Sequence, residues 1–155
     1  MAFTPAPLLR FESNFRWRNK HDNVQRTVAR LYNVWNRAST GREPARHRWR
    51  AGLNALRQIV IDATAANRRV RAYGGAWSLS DAAECSDYLV NTKPLNYLAI
   101  GLGQKQLLPS ARPLANRLAF AQCGVHVMEL HTALAGAKLA LVSHAGGQGL
   151  LAFAL

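Results

Sequence analysis

The residues best suited to chemistry lie between Arg71 and Ala83. The run Arg71-Ala72-Tyr73-Gly74-Gly75-Ala76-Trp77-Ser78-Leu79-Ser80-Asp81-Ala82-Ala83 reads as a strand, a turn of small residues, and a helical turn opened by Ser80 or Asp81. Small residues let a backbone come close to a ligand. Successive N–H groups turned one way form an anion nest, and a following helix N-terminus adds its dipole. Such a turn can hold a pyrophosphate without a lysine. The plain alternative is a tight strand-to-helix turn with no ligand. Spacing alone favours that alternative, because neither a dinucleotide fingerprint nor a Walker motif is present.

The other candidates are weaker. His126 and His131 are five apart, whereas one metal ion on a helix suits residues four apart. With Cys123 and His144 nearby they read as surface or half-buried histidines, and no metal site is assigned. Cys85 and Cys123 stand in no Cys-His-Asp order and read as small core residues. Gly101-Leu102-Gly103 is followed by no helix with a third glycine, so it is no dinucleotide loop. Only eight acids are present and none are paired near a plausible pocket, so no catalytic residue is assigned. Arg37, Arg42, Arg46, Arg48 and Arg50, with His47 and Trp49, form a basic stretch bearing aromatics. It suits phosphate contact with a nucleic acid, or a solvated or partner-facing loop between two helices.

The elements that must position these residues follow from periodicity. Residues 1–22 read as irregular, with Pro5 and Pro7 opposing an early helix and Phe11, Phe15 and Trp17 as anchors of a docked tail. From Asp22, a plausible N-cap, Val24, Val28, Leu31, Tyr32 and Trp35 fall at helical spacing. A second helix spans about Ala51 to Ala66, with Leu53, Leu56, Val60 and Ala63 on one face. Val70–Tyr73, Tyr88–Asn91, Leu118–Cys123 and Leu139–Val142 read as strands. Gly101 to Pro113 reads as loop. Val125–Leu134 reads as a helix that Gly136 ends. The expected fold class is α+β, a small mixed sheet covered by helices.

Composition sets the bounds. The 155 residues are 49% hydrophobic and 18% charged, which opposes wholesale disorder. No apolar run is long enough to cross a membrane, and the start carries no signal-peptide pattern. Two cysteines make no disulfide framework, so the expected compartment is the cytoplasm. The net charge is +12, and it is uneven. Residues 1–71 hold 15 basic and 4 acidic side chains, and residues 72–155 hold 5 and 4. Sixteen of the cations are Arg, suited to bidentate pairing with phosphate or carboxylate. A basic half fits a nucleic acid or an acidic partner.

Four segments, in order, resemble the FAD-binding domain of the vanillyl-alcohol oxidase family, the PCMH-type flavoenzymes. The family's R-A/V-x-G strand and G-x-G/R-H-S turn match Arg71–Ser78. Its Thr/Ser, basic residue, Leu-Asn segment matches Thr92-Lys93-Pro94-Leu95-Asn96. Its strand, A-G-V/A and E-L helix match Phe120–Leu134, and its small-residue flavin loop matches Ala145-Gly146-Gly147-Gln148. Trp17-Arg18-Asn19 and Asn23-Val24 are similar to the W-x-N-W-x-x-N segment of the sugar-lactone, alditol and sterol oxidase branches.

The resemblance implies FAD as cofactor. It places Tyr73, Gly74, Gly75, Ala76, Trp77 and Ser78 around the pyrophosphate, and Gly146, Gly147 and Gln148 near the flavin ring. It implies a flavin-dependent oxidoreductase acting on an alcohol, lactone or similar C–H donor. Residues 1–50 become a basic extension with one helix, and 51–155 a PCMH-type subdomain truncated at its C-terminal side. The family continues past the position of Leu155 with more of the FAD site and a substrate domain. A small-molecule substrate and a second polypeptide completing the enzyme are therefore expected, as a hetero-oligomer, with a truncated product as the other option. The apolar Leu150–Leu155 reads as a strand that pairs with another chain. The alternative is a basic nucleic-acid-binding or scaffold module without activity, the less favoured reading.

One departure makes a prediction. Trp77 stands where many family members carry the histidine that bonds to flavin, and indole cannot form that bond. FAD bound to this chain is expected to leave on acid denaturation; flavin co-migrating with the polypeptide on a denaturing gel would contradict this.

Overall fold

The structure, a computed structural model, describes residues 8–37 and 45–141. It divides into two units, Met1–Leu95 and Asn96–Leu155. The fold is α+β, with a small mixed sheet and helices. The flavin-loop residues Gly146, Gly147 and Gln148, and the apolar Leu150–Leu155, lie outside the described residues.

The first unit holds β1 (Leu9–Arg18), β2 (Gln25–Val34), α1 (Ala45–Ala65), β3 (Val70–Tyr73) and β4 (Tyr88–Asn91). The sheet order is β1-β2-β4-β3, with β1 antiparallel to β2 and the other neighbours parallel. β3 and β4 stand where the sequence pattern puts them, and α1 begins earlier than its pattern suggests. The segment from Asp22 to Trp35 is a correction: it is strand, not helix. Asp22 is no N-cap but a left-handed residue, φ +56, in the turn between β1 and β2. Residues 9–18 are likewise strand rather than tail. The sheet therefore joins strands from both sides of residue 50, and the basic segment is no separate extension.

β2 hides its strand character because it is central in the sheet and covered on both faces. Val28, Leu31, Tyr32 and Val34 are all buried, so the alternation of a half-exposed strand is lost. A second cause is a kink. Asn14, at φ +51, interrupts the β1–β2 register between the Ser13–Arg30 and Phe15–Val28 pairs. Beyond it the hairpin swaps faces. Val28 joins Leu31 in one cluster with Trp17, Cys85 and Leu89, although residues three apart in a regular strand face opposite ways. Trp17 pairs with Arg26, while Tyr73 lies level with Asn33 through β4. A straight β2 would separate those levels by roughly 23 Å at ~3.3 Å per residue. The Trp17 and Tyr73 rings are nevertheless 5.8 Å apart, so the far half of the hairpin folds back across the sheet.

The opposite face carries α1, whose Ala51, Ala55, Ile59 and Ala63 form a buried stripe at four-residue spacing. At Gly52 a Cβ would lie 2.5 Å from Leu95 Cδ2 and 3.0 Å from Asn36 Oδ1, so glycine lets the helix start lie close to the chain leaving β2. Arg30 is held on the sheet by aromatics. Its guanidinium lies 4.6 Å from the Phe11 ring centre and 5.2 Å from that of Tyr88, and it donates to Tyr32 Oη at 3.1 Å. That last bond raises its pKa further above the ordinary arginine value. Asp87 ties the starts of β3 and β4 together. It accepts from the Arg69 backbone N–H at 3.2 Å and from Arg68 at 3.0 Å, which holds its carboxyl below the ordinary range.

The second unit holds β5 (Leu98–Ile100) antiparallel to β6 (Ala119–Ala121), 3-10 turns at Gln104–Gln106 and Pro109–Arg117, and α2 (Val127–Gly136). Gln122 closes the strand pair, exchanging bonds of 2.9 Å with the Tyr97 backbone. Val125, Leu130 and Leu134 pack with Leu98, Ile100, Ala121 and Leu139. Glu129 accepts from the His126 backbone N–H at 3.0 Å and fastens the start of α2. Gly136 is the last helical residue, but the left-handed position belongs to Lys138, φ +57. Residues 139–141 are not strand, and Gly101 to Pro113 is partly 3-10 helix rather than loop. Among the described residues no helix is long and apolar enough to cross a membrane.

The kink gives a stability prediction. Asparagine tolerates positive φ better than a residue with an ordinary Cβ and no local hydrogen bonding. Asn14→Ala is expected to destabilise the first unit by about 1–2 kcal/mol, and Asn14→Gly by clearly less. Thermal denaturation of both variants measures this, and equal melting temperatures would remove the kink as a strained point.

Candidate anion site at the glycine turn

β3 ends at Tyr73 on the edge of the sheet, and the chain must return to the start of the parallel β4. Residues 74–87 make that return across the face covered by the far half of the hairpin. Trp17, Tyr73, Ala76, Ala83 and Cys85 pack in one cluster there, and Arg71 donates to the Ala82 carbonyl. Thr92, buried after β4, fixes the end of β3 by donating to the Tyr73 carbonyl from its N–H at 3.2 Å and from its hydroxyl at 3.0 Å.

The turn is clamped by the hairpin loop. Four successive carbonyls accept from Asn19–Asn23. Ala76 O takes the Lys20 backbone N–H at 2.8 Å, and Trp77 O takes His21 Nε2 at 3.2 Å. Ser78 O takes Asn19 Nδ2 at 2.9 Å, and Leu79 O takes Asn23 Nδ2 at 2.8 Å. A carbonyl only accepts, so His21 Nε2 carries the hydrogen. Asn19 is 4% exposed and fully used: it also donates to Asn23 Oδ1 at 2.6 Å and accepts from the Val24 N–H at 3.3 Å.

The clamp has a consequence for the amides. A peptide is planar and trans, so the N–H after each carbonyl points the other way. Four carbonyls turned to the hairpin leave the N–H groups of Trp77, Ser78, Leu79 and Ser80 turned from it. Ser80 N–H meets Ser78 Oγ at 3.2 Å. The amides of Trp77, Ser78 and Leu79 meet no acceptor among the described residues. Ala76 holds φ +57, a sparsely populated region for a residue with a Cβ. The turn thus presents a short row of donors, the arrangement that receives an anion.

The expected site residues divide. Tyr73 and Ala76 line a cavity of about 380 Å³ on the hairpin side. Gly74 is buried. Trp77 is half exposed, its ring edge-on to His21 with centres 5.7 Å apart. The Ser78 hydroxyl bonds Ser80 Oγ at 2.8 Å and stays within the loop. Positive φ falls on Ala76, and a Gly75 Cβ would lie 2.7 Å from Trp77 Cδ1. Glycine there makes room for the indole. One expectation is corrected: no helix follows at Ser80 or Asp81; Glu84 N–H closes a single turn on Asp81 O at 2.7 Å, so no helix dipole reaches the site. Burial, and then the charge of Glu12, pushes the Tyr73 phenol upward, which keeps it a neutral donor through the physiological range.

Sequence reasoning missed the clamp residues as positioning groups. Asn19 and Asn23 carry the signal: two carboxamides four apart after a strand. Of the basic stretch, Trp49 and Arg50 lie in the first turns of α1 with the guanidinium 5.9 Å from the ring centre, and Arg48 donates to Arg37 O at 3.4 Å. Cys85 is buried and donates to Arg69 O at 3.6 Å. Among the described residues no three His, Cys, Asp or Glu side chains come together as a metal site. No protein-family model and no curated protein matches this chain.

Asn19→Asp tests the clamp. It keeps shape but removes both donations and sets a carboxylate against Ser78 O and Asn23 Oδ1. A buried unmet group costs about 1–3 kcal/mol, more when charged. The variant is expected to melt lower by that amount at neutral pH, with the loss shrinking as the carboxyl is protonated. A neutral-pH melting temperature equal to that of the parent protein would show the clamp to be dispensable.

Proposed function

We propose that this chain carries the pyrophosphate-holding part of a PCMH-type FAD site and serves a flavin-dependent oxidoreductase. The observation that carries the reading is the row of amides at Trp77, Ser78 and Leu79, which meet no acceptor among the described residues and are held by the Asn19–Asn23 clamp. Their position supports it: the turn follows the C-terminal end of a parallel strand, where ligands of such sheets gather. Charge-assisted bonds from fixed amides to phosphate oxygens need no lysine and little reorganisation on binding. The residues present fit a diphosphate in donor count and in fixity.

The roles within this reading are specific. The Trp77–Leu79 amides bind the diphosphate. Asn19, Lys20, His21 and Asn23 orient those amides through the carbonyls opposite. Thr92 fixes the strand end from which the turn departs. Trp77, half exposed beside His21, offers no covalent attachment. FAD, when bound, supplies the hydride-accepting flavin, and the protein's share is binding and orientation. The small-molecule substrate, the completing polypeptide and the cytoplasmic location belong to this same proposal.

FAD titration of the full chain, followed by tryptophan quenching, tests the reading. The chain is expected to bind FAD through the turn alone, more weakly than it does together with the completing polypeptide. Gly75→Val, whose branched Cβ collides with the Trp77 indole and displaces the turn, is expected to bind it at least about tenfold more weakly, the value of one lost charge-assisted bond. The variant's far-ultraviolet circular dichroism is expected to match the parent's. No FAD binding by the folded parent, or full binding by Gly75→Val, would reject the proposal.

A further inference from the structure

The cavity on the hairpin side of the turn gathers cations from three separate parts of the chain. Arg16 and Arg18 come from β1, Lys20 from the hairpin loop, and Lys93 from the segment after β4. Asp22 is the one carboxylate in its lining, and it is taken by Arg18, with an N···O distance of 3.3 Å. Arg16 is bonded to a neutral acceptor, Gln25 Oε1, at 3.2 Å. Lys20 has no side-chain partner among the described residues, and Lys93 Nζ lies 6.0 Å from the centre of the Tyr73 ring. Among the described residues, Arg16, Lys20 and Lys93 have no carboxylate partner, and beyond Asp22 the acidic influence on the lining is the charge of Glu12 felt by Tyr73.

Like charges brought into one concave site repel, and the cost is met when an anion enters. The fold brings Lys93 to Arg16 and Lys20 although more than seventy residues separate them in sequence. The volume, about 380 Å³, suits a small molecule. Phe15 and Tyr73 add apolar and aromatic wall. A carboxylate would offset one of the three charges. A phosphomonoester dianion offsets two, and its oxygens accept from guanidinium and ammonium donors alike. The Tyr73 hydroxyl adds a neutral donor. The cavity lies on the carbonyl side of the turn, away from the Trp77–Leu79 amides.

We propose that this cavity is a second anion site, taking a small molecule that bears a phosphomonoester, held by Arg16, Lys20 and Lys93. It is independent of the flavin reading, since it uses none of the amides on which that reading rests.

Calorimetric titration of the full chain in phosphate-free buffer, with phenyl phosphate and benzoate as probes, tests it. Phenyl phosphate is expected to bind at least about tenfold more tightly than benzoate, the added dianion contacts accounting for the difference. The double variant Lys20→Gln, Lys93→Gln, whose changes are at exposed side chains, is expected to lose that preference. FAD is expected not to displace phenyl phosphate. Equal affinity for the two probes, or an unchanged preference in the double variant, would overturn the proposal. Stoichiometric displacement by FAD would overturn the claim of a separate site. A chain that binds phenyl phosphate but not FAD would uphold this site while rejecting the flavin reading.

Discussion

One buried carboxamide holds the first unit in shape. Asn19 sits at the end of β1, 4% exposed, and bonds Ser78 O, Asn23 Oδ1 and the Val24 N–H. Those bonds close the hairpin loop and fasten it to a segment almost sixty residues later. A polar group can be buried in this way only when its donors and acceptor are met, and here they are met by backbone that must itself be satisfied. The direction of the turn's amides follows from that closure, and it holds the folded-back hairpin over Trp17 and Leu89.

The sheet also settles where much of the chain's positive charge goes. Several arginines are absorbed by structure: Arg30 by three aromatic rings, Arg68 and Arg69 by Asp87, Arg26 by Glu84, and Arg71 by the Ala82 carbonyl. Most of these pairs are exposed and contribute little individually to stability. Of the rest, Arg16 and Lys20 meet Lys93 at the hairpin, while Arg10, Arg50 and Arg57 lie elsewhere. The basic excess of residues 1–71 is thus partly scaffold and partly a local positive field beside the turn.

The kink at Asn14 links these features. A straight hairpin would project beyond the parallel strands and leave Trp17 in water. A single left-handed residue turns it over the sheet instead, and buries Trp17 against Tyr73. The loss of regular pairing at one position is offset by the apolar area this covers. It also sets the cation-lined cavity and the donor row on two sides of one turn.

Local pattern by itself determined α1, β3, β4 and α2, because each has a period that its own residues declare. The helix of α1 and the short β-rich runs before Gly74 and Asn91 need no partner to be read, but the inward face of α1 does: Leu53 and Val60, read as its face, are exposed, and Ala51, Ala55, Ile59 and Ala63 are buried against the sheet. β1 was legible too: Leu9, Phe11, Phe15 and Trp17 alternate with Arg10, Glu12, Arg16 and Arg18, though the prolines before it suggested a tail. β2 was not, because burial on both faces and a face swap at the kink put Val28, Leu31, Tyr32 and Trp35 at intervals that imitate a helix. The glycine turn announced itself by residue type, but its working parts did not. Which way its amides point was decided by Asn19 and Asn23, and which cations face its other side was decided by sheet pairing that carries Lys93 to the hairpin. Such long-range placements leave no periodic trace, since they depend on contacts between segments and not on the order of residues within one.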